Sequence, residues 1–499
     1  MRDLISSPKW QGHQLGLPLP DGGHAVSVSM PHWRHVVGYE EGAEDIVNAL
    51  QCGYPRFVIH PFVVALNKHL QAALARPGEA CFAFPSLAVA QRAKAFLHRR
   101  SGLESRIATT PFDSVFALCF PESGFETAKS FWQHTGEIVS SRQAQSVMDR
   151  ERSETGEGAE AKTAIRAMLA ELSGIPSDCI WLFPTGMAAI AAIHRVCGEL
   201  IPGRPSVQLG FPYVDTLKVQ EKLGNGAVFL PHGHGADLKR LNALVQDGEV
   251  SAVYCECPTN PLLQTPDLAK IAHMTRPAGV PLIVDNTLDS FANINPFPHA
   301  DVAVISLTKY FSGVGNVMGG ALLLNPQSER FDALCTGLAA TFEDLLWSED
   351  AIVLAENGRD FRARLTRVNR TAGELCRYLK THPAVTRVHY PEFVSRANYE
   401  SLSMSSDPGF GGLFSLELVD GPSEAPRVYD ALRVCKGPGL GTNFTLACPY
   451  TLLAHYGERD WAASCGVRPD LLRVSVGLED ADDLMRRFED ALAPAPIRG

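Results

Sequence analysis

An amine, a carboxylate and two hydroxyls lie within the stretch Pro281 to Gly320, at positions a folded chain can bring together. Two short apolar runs carry them. The first, from Val280 to Val284, stops at Asp285; the second, Val302 to Ile305, stops at Ser306-Leu-Thr308-Lys309. Each run is rich in β-branched residues and apolar on both faces, as buried parallel strands are. About 24 residues separate Asp285 from Lys309, enough for a crossover between parallel strands. Ligands of open α/β sheets collect beyond the carboxyl ends of the strands. The two strand ends would therefore place these groups around one crevice.

Pyridoxal 5'-phosphate asks for this set: an amine for a Schiff base, an acid opposite its ring nitrogen, and hydroxyl or backbone donors for its phosphate. Lys309 would supply the amine and Asp285 the acid, while Ser306 and Thr308 would donate to phosphate. Ser312-Gly313-Val-Gly315 and Gly319-Gly320 leave room for a planar ring. Taken singly, a lysine after a core strand and an aspartate at a strand end are ordinary; it is their combination that points to the cofactor. Upstream, Trp181-Leu-Phe183 reads as a buried strand, and Thr185-Gly186-Met187-Ala-Ala-Ile190 as a turn opening a helix. Free N–H groups and the helix dipole favour an anion at such a terminus, although the same residues also make a plain tight turn. Arg473 begins the strand Leu472-Arg-Val-Ser-Val-Gly477. A guanidinium fork can bind a carboxylate through two parallel bonds.

These motifs resemble the Cys/Met-metabolism family of pyridoxal-phosphate enzymes, the trans-sulfuration enzymes, from roughly residue 130 to the end. Asp285-Asn-Thr, Ser306-Leu-Thr-Lys309-Tyr310 and Thr185-Gly-Met-Ala-Ala-Ile190 stand in that family's order, with Thr185 in place of Ser. The resemblance implies further roles. Tyr213, in Gly-Phe-Pro-Tyr213-Val-Asp, would stack on the cofactor ring and assist proton transfer. Asn260, in Pro-Thr-Asn260-Pro, would contact the ring hydroxyl and the substrate carboxylate. Arg473 would hold the amino acid α-carboxylate. Two departures stand out. Around Ser140-Ser-Arg142 the family shows Tyr-x-Arg and then Asn-Pro-Thr; here Ser140 replaces the Tyr, Asn-Pro-Thr is missing, and Arg142 remains as the phosphate candidate, reaching from a neighbouring subunit. Gly439-Leu-Gly441 stands where Ser-Leu-Gly is common. Gly38-Tyr39-Glu-Glu41 and Gly53-Tyr54-Pro-Arg56-Phe57 resemble fungal-type cystathionine γ-synthases. Tyr54 and Arg56 read first as a structural turn, with the lining of a substrate entrance as the alternative.

The elements that must position these groups fit a chain of 499 residues, too long for one simple core. A hydrophobic content of 45%, a charged content of 20% and a net charge of −10 without a basic block disfavour a nucleic-acid surface. No run approaches ~18 uninterrupted apolar residues, so no membrane span is expected. The start has no apolar core of signal-peptide length. The twelve cysteines lack the paired spacing of a zinc site and read as reduced core thiols of a cytoplasmic protein.

Residues 1–125 read as an N-terminal extension, a small α/β layer with strands at Ala80–Phe84 and Val115–Phe120 and a helix from Ala88 to Leu97 capped by Ser86. Residues 126–371 read as the cofactor-binding large domain and 372–499 as a smaller C-terminal domain. Arg150 to Lys162 reads as a loop leading into a helix from Ala164 to Leu172. Phe342 to Glu356, Phe361 to Leu379 and Ala481 to Leu492 read as helices. Leu413 to Leu418 reads as a half-buried antiparallel strand, and Cys435 to Tyr456 as a Gly/Pro-rich loop. The resemblance implies an aspartate-aminotransferase-like, fold type I α/β architecture with a mostly parallel seven-stranded sheet, assembled as a homodimer or homotetramer. It also implies γ-replacement of an O-acyl or phospho homoserine ester by cysteine, with sulfhydrylase or lyase chemistry as alternatives. A Rossmann oxidoreductase is disfavoured because no Gly-x-Gly-x-x-Gly precedes an acid ~20 residues on. A catalytically inactive regulatory homologue is the non-enzyme alternative.

Overall fold

The computed structural model describes residues 3–149 and 156–494. Near its start, β1 (Glu79–Phe84), β2 (Arg106–Thr109) and β3 (Phe116–Pro121) form an antiparallel sheet in the order β1-β3-β2. Alternation along the strands divides its two faces. Cys81, Ala83, Ala117 and Cys119 meet α1 (Pro61–Leu74) through Val63, Leu66 and Leu70. Phe82, Phe84, Leu118 and Phe120 meet α2 (Leu87–Ser101) and α3 (Phe125–Thr135). Ser86 caps α2 by accepting the Val89 N–H at 3.2 Å, as its sequence suggests. The short, half-exposed β2 has no apolar run to announce it.

The seven-stranded sheet follows. It contains β4 (Ile180–Phe183), β5 (Ser206–Leu209), β6 (Ala227–Leu230), β7 (Val253–Glu256), β8 (Leu282–Asp285), β9 (Val302–Ile305) and β10 (Gly320–Leu324). Their order is β4-β10-β9-β8-β7-β5-β6, and only β10 runs antiparallel to its neighbours. Two helical layers cover it. The face carrying Leu182, Ala303, Ile305 and Leu323 packs on α4 (Gly156–Ser173). The opposite face, with Ile283, Val302 and Val304, packs on α5 (Gly186–Leu200). Burial on both sides explains why these strands read as unbroken apolar runs. The arrangement is the expected fold type I architecture. Among the described residues no helix is long and apolar enough to cross a membrane.

After α6 (Val214–Leu223), the helices α7 (Ser348–Gly358) and α8 (Phe361–Lys380) lead to the third sheet. Its strands are β11 (Val385–His389), β12 (Leu413–Leu418), β13 (Cys435–Lys436), β14 (Leu446–Pro449) and β15 (Leu472–Ser475), in the order β11-β12-β15-β14-β13, and α9 (Ala481–Leu492) closes the described chain.

Four sequence expectations change. α4 begins at Gly156 rather than Ala164, and the rest of the expected loop, 150–155, lies outside the described residues. α7 begins at Ser348, because Phe342 is extended and packs its ring against Trp181 and Phe183. β12 is buried on both faces: Phe414 meets Phe488 of α9, while Ser415 donates to the Pro261 carbonyl at 2.9 Å. The segment Cys435 to Tyr456 is no loop; it contains β13, β14 and a short helix, Tyr450–His455.

Candidate active site

Parallel register sets the core of the site. Asp285 lies beside Val304 of β9 on one side and Glu256 of β7 on the other. The carboxyl ends of three strands thus open onto a cavity of about 520 Å³, within the size range of small-molecule sites. Lys309, Ser306, Asp285, Asn260, Tyr213 and Arg473 all line it, as do Gly186 and Met187. Gly186 is required there. A Cβ on it would lie 2.9 Å from the Cβ of Ser306, so the helix terminus and the β9 turn approach as closely as the backbone permits.

Lys309 faces the cavity with its Nζ 4.1 Å from the ring centroid of Tyr54. Burial pushes its ammonium pKa down, and the neighbouring Tyr54 opposes that shift. Burial also pushes the Asp285 carboxyl up, opposed by the Thr287 hydroxyl and N–H, the latter at 2.9 Å. Its neighbour Glu256 is pushed up to about 8 by burial and by Asp285, although it accepts the N–H groups of Tyr213 and Asn260. Two adjacent buried carboxyls, with hydrogen-bond donors that are all neutral, leave a place for a protonated ring nitrogen.

Arg473 sits at another wall, 7% exposed. It donates through Nη1 to Asn260 Oδ1 at 3.1 Å and through Nη2 to the Gly439 carbonyl at 2.8 Å, partners that carry no charge. Its guanidinium also lies 5.1 Å from the Tyr450 ring centroid. Gly439 has φ +109°, a conformation that disfavours any side chain, and its contribution to Arg473 is the backbone carbonyl.

Three expected cofactor contacts are placed elsewhere. Thr185 is the cap of α5: its Oγ1 accepts the Ala188 N–H at 3.0 Å and donates to the Gly136 carbonyl at 3.0 Å, which turns it away from the cavity. Helix geometry leaves the following N–H groups, at Gly186 and Met187, without intrahelical acceptors and facing an anion position. Thr308 is occupied by Gly319, donating to its carbonyl at 3.3 Å and accepting its N–H at 3.1 Å, so of the two hydroxyls expected for the phosphate only that of Ser306 lines the cavity. Arg142 lies outside its own chain's cavity and pairs with Asp350 at 3.0 Å.

The extension supplies what the sequence reading undervalued. Tyr54 and Arg56 form a turn, but one folded into the cavity wall. A Cβ on Gly53 would lie 2.6 Å from Val58, which keeps that turn tight. Arg56, 2% exposed, forms an ion pair with Asp215 at 2.6 Å and donates to the Tyr213 hydroxyl. Burial opposes charge on Arg56, but Tyr213, Asp215 and Tyr54 hold it protonated. Tyr54 is pushed up by burial, yet the cations Lys309 and Arg56 bring it below its ordinary value. Tyr-Pro-Arg at 54–56 has the Tyr-x-Arg pattern sought at Ser140–Arg142, and that was the available signal.

The donor set fits pyridoxal phosphate: a desolvated amine, a buried acid on the adjacent strand end, and a Gly-lined helix terminus with a hydroxyl and an arginine close by. Comparisons with known proteins point the same way. Residues 127–493 match the family described as Cys/Met metabolism PLP-dependent enzyme, and residues 62–140 match the N-terminal domain of fungal trans-sulfuration enzymes. The chain is 36% identical to a cystathionine gamma-synthase of Neurospora crassa, over 97% of this chain and 98% of that one. It is 31% identical to a cystathionine gamma-synthase of Saccharomyces cerevisiae, over 95% and 98%. Among solved structures, a cystathionine gamma synthase of Xanthomonas oryzae pv. oryzae in complex with aminoacrylate and cysteine superposes with a TM-score of 0.58 and 25% identity, covering 67% of this chain and 86% of that one.

Proposed function

The chain belongs to the Cys/Met metabolism PLP-dependent enzyme family, and from that premise we propose that it is a transferase of the cystathionine γ-synthase type. It exchanges the γ-substituent of an O-acyl or phospho homoserine for the sulfur of cysteine, giving cystathionine on the route to methionine. The observation that carries this reading is one cavity holding a desolvated lysine, a buried aspartate and an arginine whose protein partners are neutral.

Asp285 would pair with the ring nitrogen of pyridoxal phosphate, Lys309 would carry its carbonyl carbon, and Tyr213 would flank the ring. Gly186, Met187 and Ser306 would hold the phosphate. When bound, the cofactor withdraws electrons from the amino acid so that its γ-substituent can leave and a thiol can take that place. Arg473, with Asn260 beside it, binds the substrate α-carboxylate and so fixes which substituent at the α-carbon faces Lys309. Lys309 Nζ, whose proton burial disfavours, accepts the α-proton and returns it further along the chain. Tyr213 assists with a hydroxyl held by the Arg56 N–H.

We read residues 1–125, 126–371 and 372–499 as three units, supported by the separate three-, seven- and five-stranded sheets that fall one in each. A homodimer or homotetramer rests on the family alone, since Arg142, the residue expected to reach a second copy, is engaged by Asp350 of its own chain. The twelve cysteines, none of them in a disulfide among the described residues, support a reducing, cytoplasmic setting. Product analysis with an O-acylhomoserine plus cysteine, sulfide or water tests the activity. Cystathionine as the main product is expected. Preference for sulfide would make the enzyme a sulfhydrylase, keto-acid release in water a lyase, and no turnover with bound cofactor an inactive homologue.

A further inference from the structure

Asp215 is a carboxylate with no exposed surface, in the first turn of α6. Its Oδ2 accepts from Arg56 Nη1 at 2.6 Å; its Oδ1 accepts from His134 Nδ1 at 2.8 Å and from Gln133 Nε2 at 3.2 Å. A carboxylate only accepts, so His134 carries its proton on Nδ1. Its Nε2 then accepts from Lys222 Nζ at 2.9 Å, and Lys222 also donates to Ser130 Oγ at 3.2 Å. At the other end Arg56 donates through Nη1 to the Gln133 carbonyl at 2.7 Å and through Nη2 to the Tyr213 hydroxyl. Three separate segments, the extension, α3 and α6, thus meet in one continuous polar chain.

Burying a carboxylate and a guanidinium here is unfavourable unless both stay paired and hydrogen-bonded. The arrangement meets that demand and directs the remaining arm of Arg56 at one atom, the phenol oxygen of Tyr213. An arginine does not release its proton, so the chain carries no proton out of the cavity; it fixes a charge and a direction. We propose that Asp215 and His134 are positioning residues that orient Arg56 against the Tyr213 hydroxyl and so hold the phenol ready for proton transfer. The inference rests on the roles given to Tyr213 and Lys309 above. The groups that face Tyr213 are Arg56 and Tyr54 from the extension, Asp215 from α6, Tyr450 from the C-terminal part and Glu256 through the backbone N–H. Arg56 and His134 face Asp215, with Lys222 one bond further out. Lys309 lies against Tyr54.

Full-length, cofactor-loaded variants test it. Tyr213→Phe identifies the limb of the kcat/KM pH profile that belongs to the phenol. Asp215→Asn keeps the shape and removes the negative charge, which favours deprotonation nearby, so that limb moves to lower pH by about half a unit or more. The pH midpoint of the bound cofactor's visible absorption, read without substrate, moves the same way and does not depend on which ester or thiol is right. His134→Phe cannot donate to Asp215 and lowers kcat roughly tenfold with KM nearly unchanged, as a misplaced catalytic group does. His134→Asn offers an amide N–H in place of Nδ1 and recovers most of the loss. An unmoved limb and absorption midpoint in Asp215→Asn, or equal losses in His134→Phe and His134→Asn, would overturn the proposal. If Asp215→Asn does not fold, the two His134 variants decide. A Tyr213→Phe profile identical to the parent removes the phenol from the reaction and this proposal with it, leaving Lys309 and Arg473 to the product analysis.

Discussion

Replacing Arg473 by lysine keeps the positive charge and removes the planar fork. Arg473 has five N–H donors. One is committed to Asn260 Oδ1 and one to the Gly439 carbonyl, which leaves donors on both arms for a planar anion. An ammonium has three donors and no plane. If it kept both protein partners, one donor would remain for the substrate carboxylate. The loss of one hydrogen bond to a charged group is worth about 1.5–3 kcal/mol. That is roughly a 10- to 150-fold rise in KM for the homoserine ester. Arg473 approaches the cavity from the C-terminal sheet, and the groups assigned to the cofactor lie on the strand ends opposite. The absorption spectrum without substrate should therefore stay as it is. Steady-state kinetics and the spectrum of Arg473→Lys decide the matter. An unchanged KM, or a protein that has lost its cofactor, would show that Arg473 does not bind the α-carboxylate.

Three other outcomes follow from the same geometry. Lys309→Ala should show no borohydride-stable attachment of cofactor to protein, by mass spectrometry; a persisting linkage would place the amine elsewhere. Asp285→Ala should keep its fold by circular dichroism and lose most of its activity, since a neutral pyridine withdraws electrons poorly; near-normal turnover with bound cofactor refutes the role. Acid should destabilise the protein through histidines that burial holds neutral. His24, His60 and His194 are each pushed down to about 4, desolvation being the main cause, with Arg142 adding to it at His24 and His60 and Arg195 at His194. The unfolded chain then binds more protons than the folded one between about pH 6.5 and 4, so stability is present above that window and lost as pH falls through it. Tm measured from pH 7 to 4.5 should fall less steeply in His194→Gln than in the parent; parallel curves would show that this histidine does not contribute.

The parts of the site that were legible in the sequence are those fixed by strand ends. A buried parallel strand must stop where its apolar run stops, so Asp285 and Ser306 were placed by hydrophobicity alone and their proximity by the crossover rule. Side-chain direction was not legible. Thr185 and Thr308 stand at the expected positions, yet local backbone partners take both hydroxyls, the Ala188 N–H and Gly136 carbonyl in one case and Gly319 in the other. Short polar side chains next to turns commonly bond to nearby backbone in this way. β12 failed differently. Alternation predicts one wet face, but Ser415 of that strand meets Pro261 of the large domain, and no periodicity within a strand reports a contact that distant.

Arg56 was the largest gap, and the reason is topological. It sits in an irregular turn before α1, with no periodic pattern to orient it, and its partner Asp215 is far along the chain. Yet the pair ties the extension to the wall of the cavity. Asp215 is fully buried, and Arg56 is the only cation in the extension paired with it among the described residues. Without Arg56, a desolvated carboxylate would face the cavity with only neutral His134 and Gln133 as donors, a state that ordinarily destabilises a fold by several kcal/mol. Tyr54 from the same turn covers Lys309 and holds water away from its amine. An appended layer that only packed on the surface would present apolar groups to the large domain and leave the site complete without it. This extension instead buries a cation against the site's own carboxylate, and so completes the wall of the cavity.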